Sequence, residues 1–327
     1  MLEVRDLRVT IGRHQIVHID ALDIPAGGRL GLVGESGSGK TMTAMSIVGL
    51  LPDEARVTGS ITFNGRELLG RSDIEMSRVR GADIGVVFQD PSRALNPMMR
   101  IGKQISEAVR LHMKLSRAET RERVIGLLRQ VQLPGAEALL RRYPHQLSGG
   151  QQQRVLIAIA IACDPKLLNA DEPTTALDVT VQAEILRLLV HLSEERSMGL
   201  LFVSHDLGVV RFVCDHVAEV YGGSLVEVGP TDDVVERSQH RYTSALLAAN
   251  PGIPASDEIE QYVGRRLTVI RGSVPALGHF PAGCRFRNRC DAATDSCVEG
   301  PPVTTLEGEH SYRCWNPVGR SVDVGAR

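Results

Sequence analysis

Residues 34–41 read GESGSGKT and satisfy G-x-x-x-x-G-K-[ST], a pattern whose meaning depends on its flanks. On one side RLGLV (29–33) is short and apolar enough for a buried strand. On the other, TMTAMSIVGLL (41–51) reads as a helix closed by Pro52. A glycine-rich turn is the structural alternative, and the strand-loop-helix context disfavours it. Phosphate oxygens need several donors converging on one concave surface. Glycines at 34, 37 and 39 let the backbone N–H groups of the loop, including those of Glu35, Ser36 and Ser38, point inward without a Cβ in the way. The helix adds its positive end. Lys40 is placed to reach β and γ phosphates, Thr41 offers a hydroxyl to Mg²⁺, and Thr43 completes the candidate nucleotide-binding set of this segment.

Around this loop the chain alternates. LEVRDLRVTI (2–11) and ITFN (61–64) read as strands, with Asn64-Gly65 as a turn, which predicts an antiparallel sheet at the start. Residues 98–163 read as mostly helical, from the three-and-four spacing of ERVIGLLRQVQL (122–133) to QQQRVLIAIAIAC (151–163). A strand KLLNADEP (166–173), a helix VQAEILRLLVHLSEE (181–195) and a strand GLLFVSHD (199–206) follow. Strands alternating with helices predict an α/β fold with a mostly parallel sheet covered on both faces. After about Pro230 the texture changes, and residues 250–283, rich in Pro and Gly, suit a linker or an irregular appendix.

Asp171 and Glu172, at the end of an apolar strand, supply a second half of a nucleotide site. Asp171 can hold Mg²⁺ directly or through water, and Glu172 can polarise an attacking water. An acidic turn before Pro173 is the bland alternative. LSGGQQQR (147–154) then specifies the kind of NTPase, because it resembles the LSGGQ signature of the ATP-binding cassette (ABC) family. Ser148, Gly149 and Gly150 open a helix whose terminus suits a γ-phosphate. The resemblance implies that two nucleotide-binding domains face each other head to tail, each ATP lying between one chain's glycine loop and the other's Ser148–Gln151. It further implies a Q-loop role for Gln89 in VFQD, which would sense Mg²⁺ and water, a D-loop role for Asp178 in TALD, and a switch role for His205 in VSHD. The implied architecture is a P-loop NTPase of ABC type. It has a RecA-like core, an antiparallel β subdomain and a helical subdomain at about 90–163, all within residues 1–240.

Two features depart from the family pattern. Where an aromatic ring is expected to stack on adenine, TIGRHQIV (10–17) has Ile11, with His14 nearby. LLNAD (167–171) places Asn169 in an otherwise apolar strand. An unpaired buried amide costs a few kcal/mol, which predicts a hydrogen-bond partner for Asn169.

Composition is ordinary for a globular chain of 327 residues: 43% hydrophobic, 23% charged, formal net charge −2. That balance gives no reason to expect nucleic acid as a partner. Arg285, Arg287 and Arg289 form a local basic cluster that reads as a solvated face or a place that tolerates anions. Met1 runs into LEVRDLRVTI without a basic and apolar leader, so no secretory signal is expected. VLIAIAIAC (155–163) reaches only ~14 Å as a helix against ~30 Å of hydrocarbon.

In a reducing compartment clustered cysteines point to metal or catalysis rather than disulfides. Cys284, Cys290, Cys297 and Cys314 follow C-x5-C-x6-C-x16-C, wider than zinc knuckles, and spacing alone leaves metal and reduced structural thiols open. Cys163 and Cys214 read as core residues. HRYTSALLAANP (240–251), GSVPALG (272–278) and GCRFRNRC (283–290) resemble the C-terminal extension of oligopeptide and dipeptide importer ATPases. That resemblance implies an extension over 241–327 whose four cysteines ligate a [4Fe-4S] cluster, with zinc as the alternative. Function follows as an expectation: an ATP-hydrolysing importer subunit on the cytoplasmic face of the membrane. It would work with a homologous or identical ATPase, two permeases and an extracytoplasmic peptide-binding protein. Importers of nickel, metal chelates, glutathione or opines, a soluble cassette ATPase and a catalytically dead subunit are the alternatives.

Overall fold

The computed structural model of the chain describes residues 1–175, 177–249, 269–300 and 302–319. The linker expected within 250–283 therefore lies outside the described residues as far as position 268.

Alternating burial makes strand β1 (Leu2–Ile11), with Leu2, Val4, Leu7 and Val9 fully buried on one face. It pairs antiparallel with β2 (His14–Ile24), and β3 (Arg29–Val33) leads into α1 (Lys40–Ile47). That helix stops earlier than Pro52. Gly49, at φ 62°, lets Leu50 N–H donate to Met45 O (3.0 Å) and Gly49 N–H to Ser46 O (3.2 Å), a Schellman ending that satisfies the last carbonyls. Next, β4 (Ala55–Phe63) pairs antiparallel with β1. It turns at Asn64 and Gly65, φ 49° and 75°, into β5 (Arg66–Glu67), the left-handed pair a tight hairpin requires.

After α2 (Asp73–Val79) and β6 (Ile84–Val87) the chain is helical: α3 (Pro91–Ala94), α4 (Ile101–His112), α5 (Arg117–Gln130), α6 (Ala136–Leu139) and α7 (Gly149–Ala160). Ile101, Ile105 and Val109 form the apolar stripe of α4, and they join Val124, Leu128 and Ile157 in one core. The chain continues with β7 (Leu167–Asp171), α8 (Val179–Arg196), β8 (Gly199–Ser204), α9 (Leu207–Val213), β9 (His216–Tyr221) and β10 (Ser224–Pro230), followed by α10 (Thr231–Glu236) and α11 (Arg241–Ala249). Strands β6, β7, β8, β3 and β9 are neighbours in that order, all parallel, as the alternation predicts. Val33 pairs with Ser204 and Glu219, and Asp171 with Val203. The residues that leave β3, β7 and β8 therefore emerge along one edge, where ligands of such sheets bind.

Asn169 is fully buried, and its amide donates to Ala44 O at 2.8 Å, the partner its position requires, while its Oδ1 has none. Cys214 is buried, and half-buried Cys163 packs against the main core.

The end of the chain returns to the sheet. Strand β11 (Thr305–Glu307) pairs with β12 (His310–Tyr312), and β12 with β10. Glu227 of β10, 1% exposed, ties this closure: it accepts from Gln239 N–H (2.6 Å) and His240 N–H (3.0 Å), and His310 Nε2 lies 2.7 Å from it. Burial pushes the His240 imidazole down to about 4, so it stays neutral, and its Nδ1 accepts from Tyr242 N–H. Among the described residues, no helix is long and apolar enough to cross a membrane.

Candidate nucleotide site

The glycine loop adopts left-handed φ values at Gly37 and Gly39 (79° and 99°), and a Cβ on Gly34 would collide with Val220 O. The loop wraps Lys40, 4% exposed, whose ammonium donates to Gly34 O (2.7 Å) and Glu35 O (3.0 Å). Burial lowers the Lys40 pKa, and nearby Glu172 and Asp171 oppose that shift. Ser36 is exposed and Ser38 buried without a partner for its hydroxyl. Thr43 Oγ1 donates back to Gly39 O, bracing the first turn of α1.

At the mouth of the loop, Thr41 Oγ1 donates to Asp171 Oδ1 at 3.1 Å. Burial raises the Asp171 carboxyl, with the Thr41 hydrogen bond pulling the other way. A hydroxyl facing a desolvated carboxylate beside a phosphate loop is a hard-oxygen pair that fits Mg²⁺.

Glu172 sits at φ 43°, strained for a residue with a Cβ, and four neighbours hold it. Its N–H donates to Val203 O (3.1 Å). Its Oε2 accepts from Gln89 Nε2 and Thr175 Oγ1, both at 2.9 Å, and Oε1 lies 3.6 Å from His205 Nδ1. Gln89 follows β6 and His205 follows β8, so the parallel register delivers both to the carboxylate. Thr175 was missed from the sequence; a Thr three residues past an acid gives no signal of its own.

Ser148, by contrast, stays apart from this centre. It caps α7, accepting from Gln151 N–H (3.3 Å), while its own N–H donates to Gln151 Oε1 (3.1 Å). Ser148 and Gly149 are exposed. Among the described residues, no hydrogen bond or ion pair joins Ser148–Gln151 to the glycine loop. Asp178 caps α8 through Val181 N–H (3.0 Å), next to this segment, since a Cβ on Gly150 would meet Val181.

The pattern of ABC transporters matches residues 17–175, and that of the oligopeptide/dipeptide transporter C-terminal region matches residues 226–297. Over 322 residues the chain is 42% identical to the oligopeptide transport ATP-binding protein OppD of Salmonella typhimurium, covering 97% of this chain and 94% of that one. The chain belongs to the ABC transporter ATP-binding proteins, in their oligopeptide/dipeptide branch. This ABC protein is also 44% identical over 310 residues to the probable D,D-dipeptide transport ATP-binding protein DdpD of Escherichia coli, covering 93% of this chain and 92% of that one. Among solved structures it resembles the ATP-binding cassette MJ0796 in a dimeric post-hydrolysis state with ADP and Pi. That match has a TM-score of 0.63 and 29% identity, and covers 71% of this chain and 99% of that one.

Three further features of this ABC protein bear on the site. Ile11 pairs with His14 across the β1–β2 turn, and both are half-buried; a Cβ on Gly278 would meet the His14 ring, so the C-terminal segment packs beside this edge. Secondly, the arginine cluster is not a solvated face. Arg285 donates to Gly222 O, and Arg289, its side chain 5% exposed, pairs with Glu35 of the glycine loop. Aromatic rings draw both side chains inward, Phe280 beneath Arg285 and Tyr221 and Phe286 beneath Arg289, which the sequence gives no means of seeing.

The third is Glu219, fully buried behind the loop, with neither carboxylate oxygen hydrogen-bonded. Burial raises it from 4.5 to about 8; Glu227 and Glu35 add to the rise, and Lys40 opposes it. The folded state therefore holds a proton that the unfolded state releases above 4.5. The stabilisation is complete below that pH and is lost as pH rises through about 8. In urea unfolding across this window, wild-type stability is expected to fall relative to Glu219→Gln, by at most ~1.4 kcal/mol per pH unit. A pH-independent difference would refute the protonated carboxyl.

Proposed function

We propose that this chain is the ATP-hydrolysing subunit of an ABC importer that takes up dipeptides or oligopeptides. The observation that carries the reading is a divided site. Lys40, the Thr41–Asp171 pair and the Glu172–Gln89–His205 group converge at one edge of the sheet, while the signature, exposed at Ser148 and Gly149, makes no hydrogen bond to them among the described residues. A facing ATPase subunit, homologous or identical, completes each nucleotide pocket. The branch to which the chain belongs supports two permeases and an extracytoplasmic peptide-binding protein as further partners, a peripheral place on the cytoplasmic face of the membrane, and no nucleic acid. The working division is an ABC domain over 1–240, with its helical subdomain near 90–163, and an extension over 241–327.

Thr41 and Asp171, with Gln89 nearby, would hold Mg²⁺, which supplies charge neutralisation to the phosphates. Lys40, released from Gly34 O and Glu35 O, binds β and γ oxygens beside the N–H groups of residues 34–41. Glu172 accepts the proton of the attacking water, oriented by Gln89, and His205 donates to the γ-phosphate as charge builds. Asp178, next to the signature, couples the two pockets.

The four cysteines support a cluster. All are free thiols, and Cys284 N–H donates to Cys297 O. Among the described residues no three of these thiols form a group compact enough to hold a metal ion; the cluster reading, with zinc as its alternative, rests on the resemblance of residues 283–290 to the oligopeptide and dipeptide importer extension. Burial raises the Cys284, Cys290 and Cys314 thiols, Cys290 to about 11, so binding must release protons.

One preparation tests both parts: the importer complex purified anaerobically and assayed for iron, sulfide and peptide-stimulated ATP turnover. About four irons and four sulfides per chain are expected, with stimulation by peptide-loaded binding protein. Zinc without iron would replace the cluster, and stimulation only by a metal chelate or glutathione would replace the substrate class.

A further inference from the structure

Arg289 precedes Cys290 in sequence, yet its guanidinium lies in the nucleotide site's wall. It makes a two-pronged contact with Glu35: Nη1 to Oε2 at 2.5 Å and Nη2 to Oε1 at 3.0 Å. Its Nε donates to Arg271 O, and the cation lies 5.8 Å from the Tyr221 ring centre and 5.9 Å from that of Phe286. The same loop residue is gripped a second time, because Glu35 N–H donates to the Tyr242 hydroxyl at 2.8 Å. Tyr242 is fully buried against Tyr221, ring centres 4.6 Å apart. Two elements from beyond residue 240 thus hold the second residue of the glycine loop by both its backbone and its side chain.

The chemistry gives the contact a purpose. Glu35 brings a carboxylate into a loop built to collect phosphate anions, and left unpaired it would repel them. A bidentate guanidinium both neutralises that charge and fixes the carboxylate in place. We propose that Arg289 is a positioning residue of the ATP site, through which the cysteine-bearing segment holds Glu35 and sets the affinity of the glycine loop for nucleotide. The inference rests on the ATPase reading above, and it makes the C-terminal segment part of the nucleotide site's support.

The test uses the full chain in its assembled complex, with Arg289→Met, which keeps the length and apolar packing of the side chain, and with Arg289→Met combined with Glu35→Gln. Nucleotide binding is read with a fluorescent ATP analogue, KM and kcat by phosphate release, and metal content and Tm alongside. Arg289→Met is expected to raise KM and weaken binding about tenfold while kcat changes less than about twofold. Adding Glu35→Gln is expected to restore binding to within about threefold of wild type, because the unpaired carboxylate is gone. A merely structural arginine would not be rescued by removing a charge. Unchanged KM in Arg289→Met, or a double variant no better than the single, overturns the proposal. Should Arg289→Met lose its fold or its metal, Arg289→Lys decides: a raised KM with intact metal content and Tm supports the proposal, and a wild-type KM overturns it. Failure of the ATPase reading is distinct, since the wild type itself would then neither bind nor cleave ATP.

Discussion

Glu172→Gln is expected to lower ATP turnover by about a thousandfold, ~4 kcal/mol of barrier, while leaving nucleotide binding within about twofold. The substitution is close to isosteric, and the geometry says which part of the residue it spares. Gln89 Nε2 and Thr175 Oγ1 both donate to Oε2, a bond set that an amide oxygen can still accept. What disappears is the basic carboxylate that takes the proton of water. Lys40, Thr41 and Asp171, the proposed phosphate and metal contacts, are untouched. Steady-state phosphate release beside equilibrium binding of a fluorescent ATP analogue measures both quantities. Equal turnover in the two proteins would remove Glu172 as the base.

Ser148→Arg is expected to cut turnover of the assembled complex at least a hundredfold, comparable to removing a donor from a preorganised anion site. ATP binding by the isolated chain should not change. The reasoning is positional. Ser148 is exposed, caps the N-terminus of α7, and among the described residues has no hydrogen bond to its own glycine loop. An arginine there blocks the approach of a facing nucleotide without touching the pocket in the same chain. Losing the cap costs about 1 kcal/mol of stability, so Ser148→Ala serves as the control for folding. If Ser148→Arg turned over ATP at the wild-type rate, or if dilution to monomer left the rate intact, the divided site would be wrong.

Much of the candidate site was legible because its residues lie in contiguous motifs. GESGSGKT contains its own strand exit, turn glycines, cation and hydroxyl. Asp171 and Glu172 are adjacent, and Gln89 and His205 each end a strand whose parallel pairing the alternation of elements already implied. The end of α1 was placed too late because Gly49, an ordinary residue in the written chain, takes a left-handed conformation two residues after the helix. Of the two readings of the arginine cluster, the solvated face failed for a different reason: exposure belongs to the packed molecule, and three arginines in five residues look solvated until aromatic rings claim two of them.

By itself the sequence determined the element types, the phosphate-binding loop, the acid pair and the signature, since each depends on residues within a turn or two of one another. It also determined that Asn169 needs a partner, because burying an amide is unfavourable in any fold. Only the tertiary structure decided that Ala44 supplies that partner. It alone buried Glu219 behind the loop, and brought Arg289 across 254 residues to Glu35. Such contacts depend on where the strands carry the chain and on how much water the packed side chains exclude, and desolvation and long-range pairing exist only once the molecule has closed on itself.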